Sequence, residues 1–228
     1  MSSALSSRPA GGRPPRGPPR RRGRPEWLRL TEEDVNNSLW FLLATSYFVV
    51  LALVMATQDY DIWGALIVAP VLVAVALPPI RRRVARDDPS MVTLITVALF
   101  AKLAGSAARY YITFELYDDV ADAVGYHGAG TRIAEGFWDG DLSGALAHDV
   151  PEFIGTQFIR LVTGLLYIVT GPTFMGGFIF FGFLSFLGMF LFYRALRTAY
   201  PEADHRRYAV LLFFLPTLLY WPSSIGKE

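Results

Sequence analysis

MVTLITVALFAKLAGSAARYYIT, residues 91–113, is the segment that most clearly indicates the fold class. An apolar helix of about 20 residues crosses the hydrocarbon core of a bilayer, and this run is long enough to do so. Four further apolar runs occur, at Ser38–Ala56, Ile62–Ile80, Thr173–Tyr193 and Tyr208–Trp221. We therefore predict an all-α membrane protein, a polytopic helical bundle of about five transmembrane helices with additional interfacial helices at its outer face.

The composition excludes several classes of protein. The chain has 228 residues, of which 53% are hydrophobic, and its mean hydropathy is +0.34. Because the apolar residues come in blocks, this balance excludes an ordinary soluble domain. The chain has no cysteine, which excludes disulfides, thiolate metal sites and cysteine nucleophiles.

The distribution of arginine sets the predicted topology. Residues 1–30 carry seven arginines ahead of the first acid, and we interpret them as a disordered basic cytoplasmic tail rather than a nucleic-acid-binding arm or a secretory signal. Residues 31–90 form a transmembrane hairpin that returns to the cytoplasm at Arg81–Arg86. Residues 91–228 then hold the third span and an outer loop, 114–172. The prediction is a multi-pass plasma-membrane protein with a cytoplasmic N-terminus.

The run Phe153–Thr170 is ambiguous because it carries Gln157 and Arg160. If it crossed the membrane, the basic loop after Tyr193 would lie outside, against the preference of arginine-rich loops for the cytoplasm. We therefore predict that this run lies along or dips into the outer interface. The run Thr173–Tyr193 then leads inward, and the last run leads outward again.

Two cations lie within the third span. Lys102 is near its middle, and Arg109 follows two turns later on the same helix face. A cation at the centre of a bilayer costs at least about 2.5 kcal/mol, so both side chains are expected to face protein or water. Arg109, close to the outer end, is a candidate ligand for a lipid phosphate. The alternative is that both cations pair with acids such as Asp59 or Glu115 for structure alone.

The outer loop contains the candidate catalytic acid. From Asp118 to Phe137 the spacing predicts an amphipathic interfacial helix, in which Asp122 and Tyr126 share one stripe and His127 lies on the next. A carboxylate beside bilayer and aromatic rings is partly desolvated and can act as a general base. We therefore predict Asp122 as a catalytic residue and Tyr126 and His127 as substrate contacts.

Other uses of the loop residues have weaker support in the sequence. Asp118, Asp119, Asp122 and His127 match no defined metal motif, so we predict no metal site and keep a divalent cation on these oxygens as the alternative. A serine hydrolase using His127 or His148 has no nucleophile elbow behind it. The remaining acids, Asp139, Asp141 and Asp149, are interpreted as solvated or capping residues, with a turn at 139–141.

The order of these features resembles the GT-C superfamily of membrane-embedded glycosyltransferases, in particular its protein-mannosyltransferase-like members. The resemblance rests on Asp122–His127 (DAVGYH), Gly164–Gly171 (GLLYIVTG) and Leu215–Glu228 (LPTLLYWPSSIGKE), and it covers roughly residues 91–228. The first two spans are an addition to this pattern. The family's later spans are missing, and the chain is expected to be the N-terminal portion of a longer enzyme.

The resemblance implies a hexosyltransferase that moves a sugar from a polyprenyl-phosphate donor to an acceptor hydroxyl at the outer face of the cell envelope. It implies that Asp122 is the base and that Glu228 corresponds to the second outer acid. Lys227 and Arg109 would then stabilise the departing lipid phosphate, where negative charge accumulates. Two alternatives without catalysis remain: a transporter or channel whose Lys102 and Arg109 line an anion path, and a structural subunit in which these charges pair.

Overall fold

The computed structural model describes residues 32–116, 122–152 and 154–226. All regular structure within these ranges is helical, and no strand occurs in them, which confirms the predicted all-α class. The helices in chain order are α1 (Glu32–Thr57), α2 (Tyr60–Trp63), α3 (Ala65–Asp87), α4 (Val92–Tyr111), α5 (Asp122–Trp138), α6 (Leu142–Asp149), α7 (Thr156–Thr170), α8 (Phe174–Ala199), α9 (His205–Phe214) and α10 (Pro216–Tyr220). Residues 48–226 belong to one compact unit, whereas the part of α1 before Phe48 belongs to another.

Four helical segments within the described ranges are long and apolar enough to cross a membrane. They are Asn36–Thr57, Tyr60–Asp87, Pro89–Phe114 and Phe174–Ala199. The chain is therefore an integral membrane protein, as predicted. The second segment runs past the predicted end at Ile80 to Asp87, because the helix continues through the arginines beyond the apolar run.

The last apolar run differs from the prediction of one continuous span. It divides into α9 and α10 at Leu215, whose backbone is extended, with a ψ of 123°. Pro216 follows directly; proline lacks the amide hydrogen that an α-helix needs and disfavours helical geometry in the residue before it. The chain turns at this point, and the short α10 packs against α4.

The long helices α3, α4 and α8 of the compact unit run in alternating directions in the order in which they follow along the chain. At one end, Arg197 donates from Nη2 to the Asp87 carbonyl oxygen (3.0 Å), which joins the last turns of α3 and α8. At the other end, the Phe174 amide at the start of α8 donates to Asp61 Oδ1 (3.1 Å). Helices α3 and α8 therefore run in the same direction. We call the end that holds Asp87 and Arg197 the arginine end and the opposite end the distal end.

Helix α4 runs the other way and finishes at the distal end, where the Tyr110 ring meets the Phe174 ring with centroids 5.9 Å apart. Because α4 ends where α8 begins, α5, α6 and α7 connect two points at the same end of the bundle. This agrees with the prediction that 153–170 does not carry the chain across the membrane. The 15 residues of α7 also make it shorter than the four long segments.

Close packing at glycine holds α5 against α7. A Cβ at Gly130 would lie 2.5 Å from Thr163 Cγ2, and one at Gly164 would lie 2.5 Å from Ile133 Cγ2. Only glycine allows the two backbones to approach this closely. The buried residues Ala129, Ile133 and Ala134 of α5 face this contact, so the two helices form a firm layer at the distal end.

Candidate functional site

A polar cluster lies at the distal end where α2, α5 and α7 meet, and we call Asp61, His127 and Tyr167 the histidine cluster. His127 Nδ1 lies 2.7 Å from the Tyr167 hydroxyl, within hydrogen-bond distance. On the other side of the ring, His127 Nε2 lies 3.8 Å from Asp61 Oδ1. The Phe174 ring stacks on the imidazole with centroids 4.3 Å apart. The imidazole is thus fixed by a phenol, a carboxylate and an aromatic face.

Helix α2 is tied firmly to the turn before α8. Asp61 accepts the Phe174 amide through its side chain, and its carbonyl accepts the Thr173 hydroxyl (3.3 Å). The Tyr60 hydroxyl donates to the Thr170 carbonyl. Gly171 has a φ of +77°, and a Cβ there would lie 3.0 Å from the Tyr60 ring. A left-handed backbone and a close aromatic neighbour both favour glycine at this position.

The three members of the histidine cluster differ in solvent exposure. Tyr167 is fully buried, the His127 side chain is 19% exposed and the Asp61 side chain is 50% exposed. Burial lowers the pKa of His127, and the nearby Asp61 carboxylate only partly opposes this effect. The imidazole is therefore mainly neutral at pH 7, with one nitrogen that accepts and one that donates a proton. Such a ring, oriented by a buried phenol, can act in general acid–base chemistry.

An apolar groove opens beside this cluster. It has a volume of about 610 Å³, runs between α3 and α7, and ends at Tyr60 and Thr170, which are the neighbours in sequence of Asp61 and Gly171. Its walls are almost entirely aliphatic, with Val71, Leu165 and Val169 among the exposed lining residues. We call it the α3–α7 groove. A hydrocarbon chain lying in it would bring its head to the histidine cluster.

A second apolar groove of about 670 Å³ lies between α7, α8 and α9. It reaches the turn after α10, where Pro222, Ser224 and Gly226 line it. This turn contacts α5, because Ile225 packs in the same buried cluster as Ala123 and Tyr126. Both grooves therefore reach the distal end.

The two cations of α4 bind the end of α10. Lys102 is fully buried and donates from Nζ to the Leu218 carbonyl oxygen (2.5 Å). Arg109 donates from Nη1 to the Tyr220 carbonyl oxygen (3.4 Å), and its guanidinium lies 4.9 Å from the Tyr220 ring and 4.8 Å from the Trp221 ring. The carbonyls at a helix C-terminus carry partial negative charge and favour cations. These contacts give both side chains backbone partners that the sequence did not indicate.

The other predicted site residues have different positions. Asp122 is exposed in the first turn of α5, and Tyr126, four residues later, is buried. Lys227 and Glu228, and also Asp118 and Asp119, lie outside the described residues. Their predicted roles, like that of Asp122 as a base, stay predictions.

The interpretation of Asp149 as a solvated residue is wrong. Asp149 is buried at the end of α6, where Arg132 of α5 donates to both carboxylate oxygens, at 3.0 Å from Nε and 2.5 Å from Nη2. Burial opposes ionisation of Asp149, but hydrogen bonds from Arg132 and His148 outweigh it and lower its pKa. The predicted turn at 139–141 is confirmed: Gly140 has a φ of +81°, and Asp141 caps α6 by accepting the Gly144 amide.

Two members of the histidine cluster were not predicted. Asp61 stands in a short link between two spans, and Tyr167 is one aromatic residue in an apolar helix, so neither has a local pattern that marks it. The available signal was topological, since the predicted hairpin places Asp61 on the same side of the membrane as the outer loop. The contact that joins them requires the packing of α2 on α8 and of α5 on α7.

The described residues contain no group of three or more acidic or histidine side chains that could hold a metal ion. Comparison with known protein families, with curated proteins and with solved structures finds no match to this chain.

Proposed function

We propose that the chain forms part of a membrane-embedded glycosyltransferase that moves a sugar from a polyprenyl-phosphate donor to an acceptor hydroxyl at the distal face. The observation that carries the proposal is the position of the α3–α7 groove, which runs between the spanning helix α3 and the shorter α7 and ends beside the histidine cluster. A polyprenyl tail needs an apolar surface open to the bilayer, while its phosphate and sugar need polar groups at the surface.

The charge distribution supports placing the distal face outside the cytoplasm. The arginine end carries the cluster at Arg81–Arg86, together with Arg194 and Arg197 of α8. Arginine-rich segments prefer the cytoplasmic side. The histidine cluster then faces the compartment in which polyprenyl-linked sugars are presented to acceptors outside the cell. The plasma membrane is the location that fits this arrangement.

The chemistry requires a base at the acceptor and positive charge at the leaving group. The acceptor oxygen attacks the anomeric carbon, the bond from that carbon to the phosphate oxygen breaks, and the phosphate leaves with the electron pair. His127, oriented by Tyr167 and backed by Asp61, is a candidate to take the hydroxyl proton, alongside the predicted base Asp122. Arg109, held at the distal end of α4, and Lys227 are the candidate phosphate partners.

No observation favours the transporter alternative. An anion path along α4 would need Lys102 to face a polar channel. Lys102 is instead buried and bonded to Leu218. This engagement is typical of a structural contact.

The proposal is tested with the protein in lipid nanodiscs and a photoreactive polyprenyl phosphate. We expect labelling of α3 and α7 that excess unlabelled polyprenyl phosphate removes. Leu165→Trp fills the groove and should reduce labelling, whereas Val97→Trp, at an exposed position of α4 outside the groove, is the matched control. Labelling spread evenly over lipid-facing helices, unaffected by Leu165→Trp, would overturn the proposed lipid site.

Catalysis is tested separately by transfer of a radiolabelled sugar from its polyprenyl-phosphate donor. Asp61→Asn and His127→Gln should each abolish most of the transfer, while Asp139→Asn, a change in an exposed turn, should leave it intact. Transfer by Asp61→Asn and His127→Gln at the rate of the parent protein would refute the assignment of the reaction to the histidine cluster.

A further inference from the structure

A second polar pocket lies at the arginine end, far along the helices from the histidine cluster. Its lining consists of Arg83 and Asp87 of α3 and Arg194, Arg197 and Thr198 of α8, and we call it the arginine pocket. It has a volume of about 320 Å³. Three guanidinium groups and one carboxylate face it, which leaves two positive charges in excess.

The contacts around the pocket join the ends of α3 and α8 but do not neutralise the positive charge of the arginines. Arg197 donates to the Asp87 carbonyl oxygen (3.0 Å), and its guanidinium lies 5.9 Å from the Tyr193 ring. Arg83 Nε lies 3.8 Å from Asp87 Oδ2, a loose ion pair between half-exposed side chains. Among the described residues, none forms a hydrogen bond or ion pair with the Arg194 guanidinium. The single carboxylate therefore does not neutralise the pocket.

The position of the pocket identifies the kind of anion. It lies between the last turns of α3 and α8, two helices long and apolar enough to cross a membrane. Lipid phosphates lie at the level where such spans leave the hydrocarbon. Leu191 is 62% exposed and lies one and two turns before Arg194 and Thr198 on the same stripe of α8. A lipid bound here would place its phosphate among the arginines and an acyl chain along Leu191.

We propose that the arginine pocket binds the headgroup of an anionic phospholipid, and that the preferred headgroup carries two negative charges, as in a lipid with two phosphodiesters. Guanidinium groups bind phosphate oxygens in pairs of parallel hydrogen bonds, so three of them around one cavity suit two phosphates better than one. Basic pockets between transmembrane helices are known to select such headgroups. The site is separate from the proposed transfer reaction and does not depend on it.

The test is native mass spectrometry of the detergent-solubilised protein titrated with cardiolipin, phosphatidylglycerol or phosphatidylcholine. We expect cardiolipin to bind most tightly and phosphatidylcholine most weakly. Arg194→Gln should weaken cardiolipin binding about five-fold, and Arg194→Gln with Arg83→Gln should weaken it by about twenty-five-fold, since each arginine near the surface contributes roughly that factor. The matched control is Arg206→Gln, which removes one exposed charge beyond α8 without touching the pocket, and it should retain tight binding.

Two outcomes would overturn the proposal. Equal affinity of the Arg194→Gln and Arg206→Gln proteins would show that the attraction is a general property of the basic surface. Displacement of cardiolipin by inorganic pyrophosphate at an equal concentration would show that the pocket recognises a free diphosphate rather than a lipid. Within the described part of the chain the Arg194 guanidinium makes no hydrogen bond or ion pair, and Arg194→Gln leaves its backbone bonds in α8 in place, so loss of binding in that variant is not explained by unfolding. The melting temperature verifies this.

Discussion

Two groups of polar side chains differ in their contacts: the cations along α4 that face α10, and the histidine cluster at the distal end of the bundle. Against α10, Lys102 and Arg109 donate to backbone carbonyls. In the histidine cluster, side chains contact one another, and the half-exposed Asp61 leads from His127 to the surface. A fully buried cation bonded to a backbone carbonyl, as Lys102 is, stabilises the fold, whereas an imidazole between a phenol and an exposed carboxylate can gain or lose a proton.

Replacement of the imidazole gives the largest expected effect and tests the reactive half of this comparison. His127→Gln keeps a polar side chain but removes the titratable group, so transfer from the polyprenyl-phosphate donor should fall by about 100-fold or more. The measurement is the initial transfer rate in nanodiscs, with the free energy of unfolding determined in parallel. A variant that is folded and fully active would remove His127 from the proposed chemistry.

Replacement of the buried Lys102 tests whether its bond to α10 stabilises the fold. Lys102→Met fits the same space but leaves the Leu218 carbonyl without its charged donor, and we expect the free energy of unfolding to fall by about 2–3 kcal/mol. Thr96→Val is the control, because the Thr96 hydroxyl bonds only to the Val92 carbonyl of its own helix in the contacts observed (2.7 Å). The measurement is unfolding in mixed micelles. Unchanged stability of Lys102→Met, together with altered ion flux, would instead support the transporter alternative.

Removal of the Tyr167 hydroxyl tests whether the phenol orients the imidazole or takes part in the chemistry. Tyr167→Phe retains the ring and loses the hydrogen bond to His127, which should reduce stability by about 1 kcal/mol. If the phenol only orients the imidazole, transfer should slow by no more than about ten-fold. Tyr111→Phe, at an exposed position of α4, is the matched control and should change neither quantity. An effect as large as that of His127→Gln would mean that the phenol itself takes part in the chemistry.

The smallest expected effect is a dependence of stability on pH. Because burial holds the pKa of His127 below 6.5 in the folded state, the unfolded chain takes up a proton first as the pH falls. The contribution of His127 to stability is therefore fully present above pH 6.5 and decreases as the pH falls toward the lower folded-state pKa.

The measurement is the difference in free energy of unfolding between the parent protein and His127→Gln from pH 7 to pH 5. Taking this difference cancels the contributions of His148 and His205, which both proteins share. We expect the parent to lose more stability than the variant over this interval. A loss that is equal in the two proteins would show that the imidazole is not desolvated by the fold.

Run length and hydropathy are local quantities, and from them alone the sequence predicted the all-α class and the four long spans, together with a fifth span at Tyr208–Trp221 that the structure replaces by two short helices. Arginine placement also predicted that Phe174–Ala199 runs opposite to α4. The sequence also indicated the α5 helix and the turn at Gly140. Pro216 is a local signal for the break in the last apolar run, but the run is long enough to be interpreted as one span.

Which polar side chains meet depends on the tertiary packing. Asp61 and His127 are separated by more than sixty positions in the chain, and Lys102 and Leu218 by more than one hundred. Their contacts depend on how glycine and bulky side chains allow α4, α5, α7 and α8 to pack, which is a property of pairs of helices and not of any single segment. The sequence therefore shows which charged residues lie within or beside the spans. The packing determines whether each of these side chains binds the end of a helix or faces the candidate site.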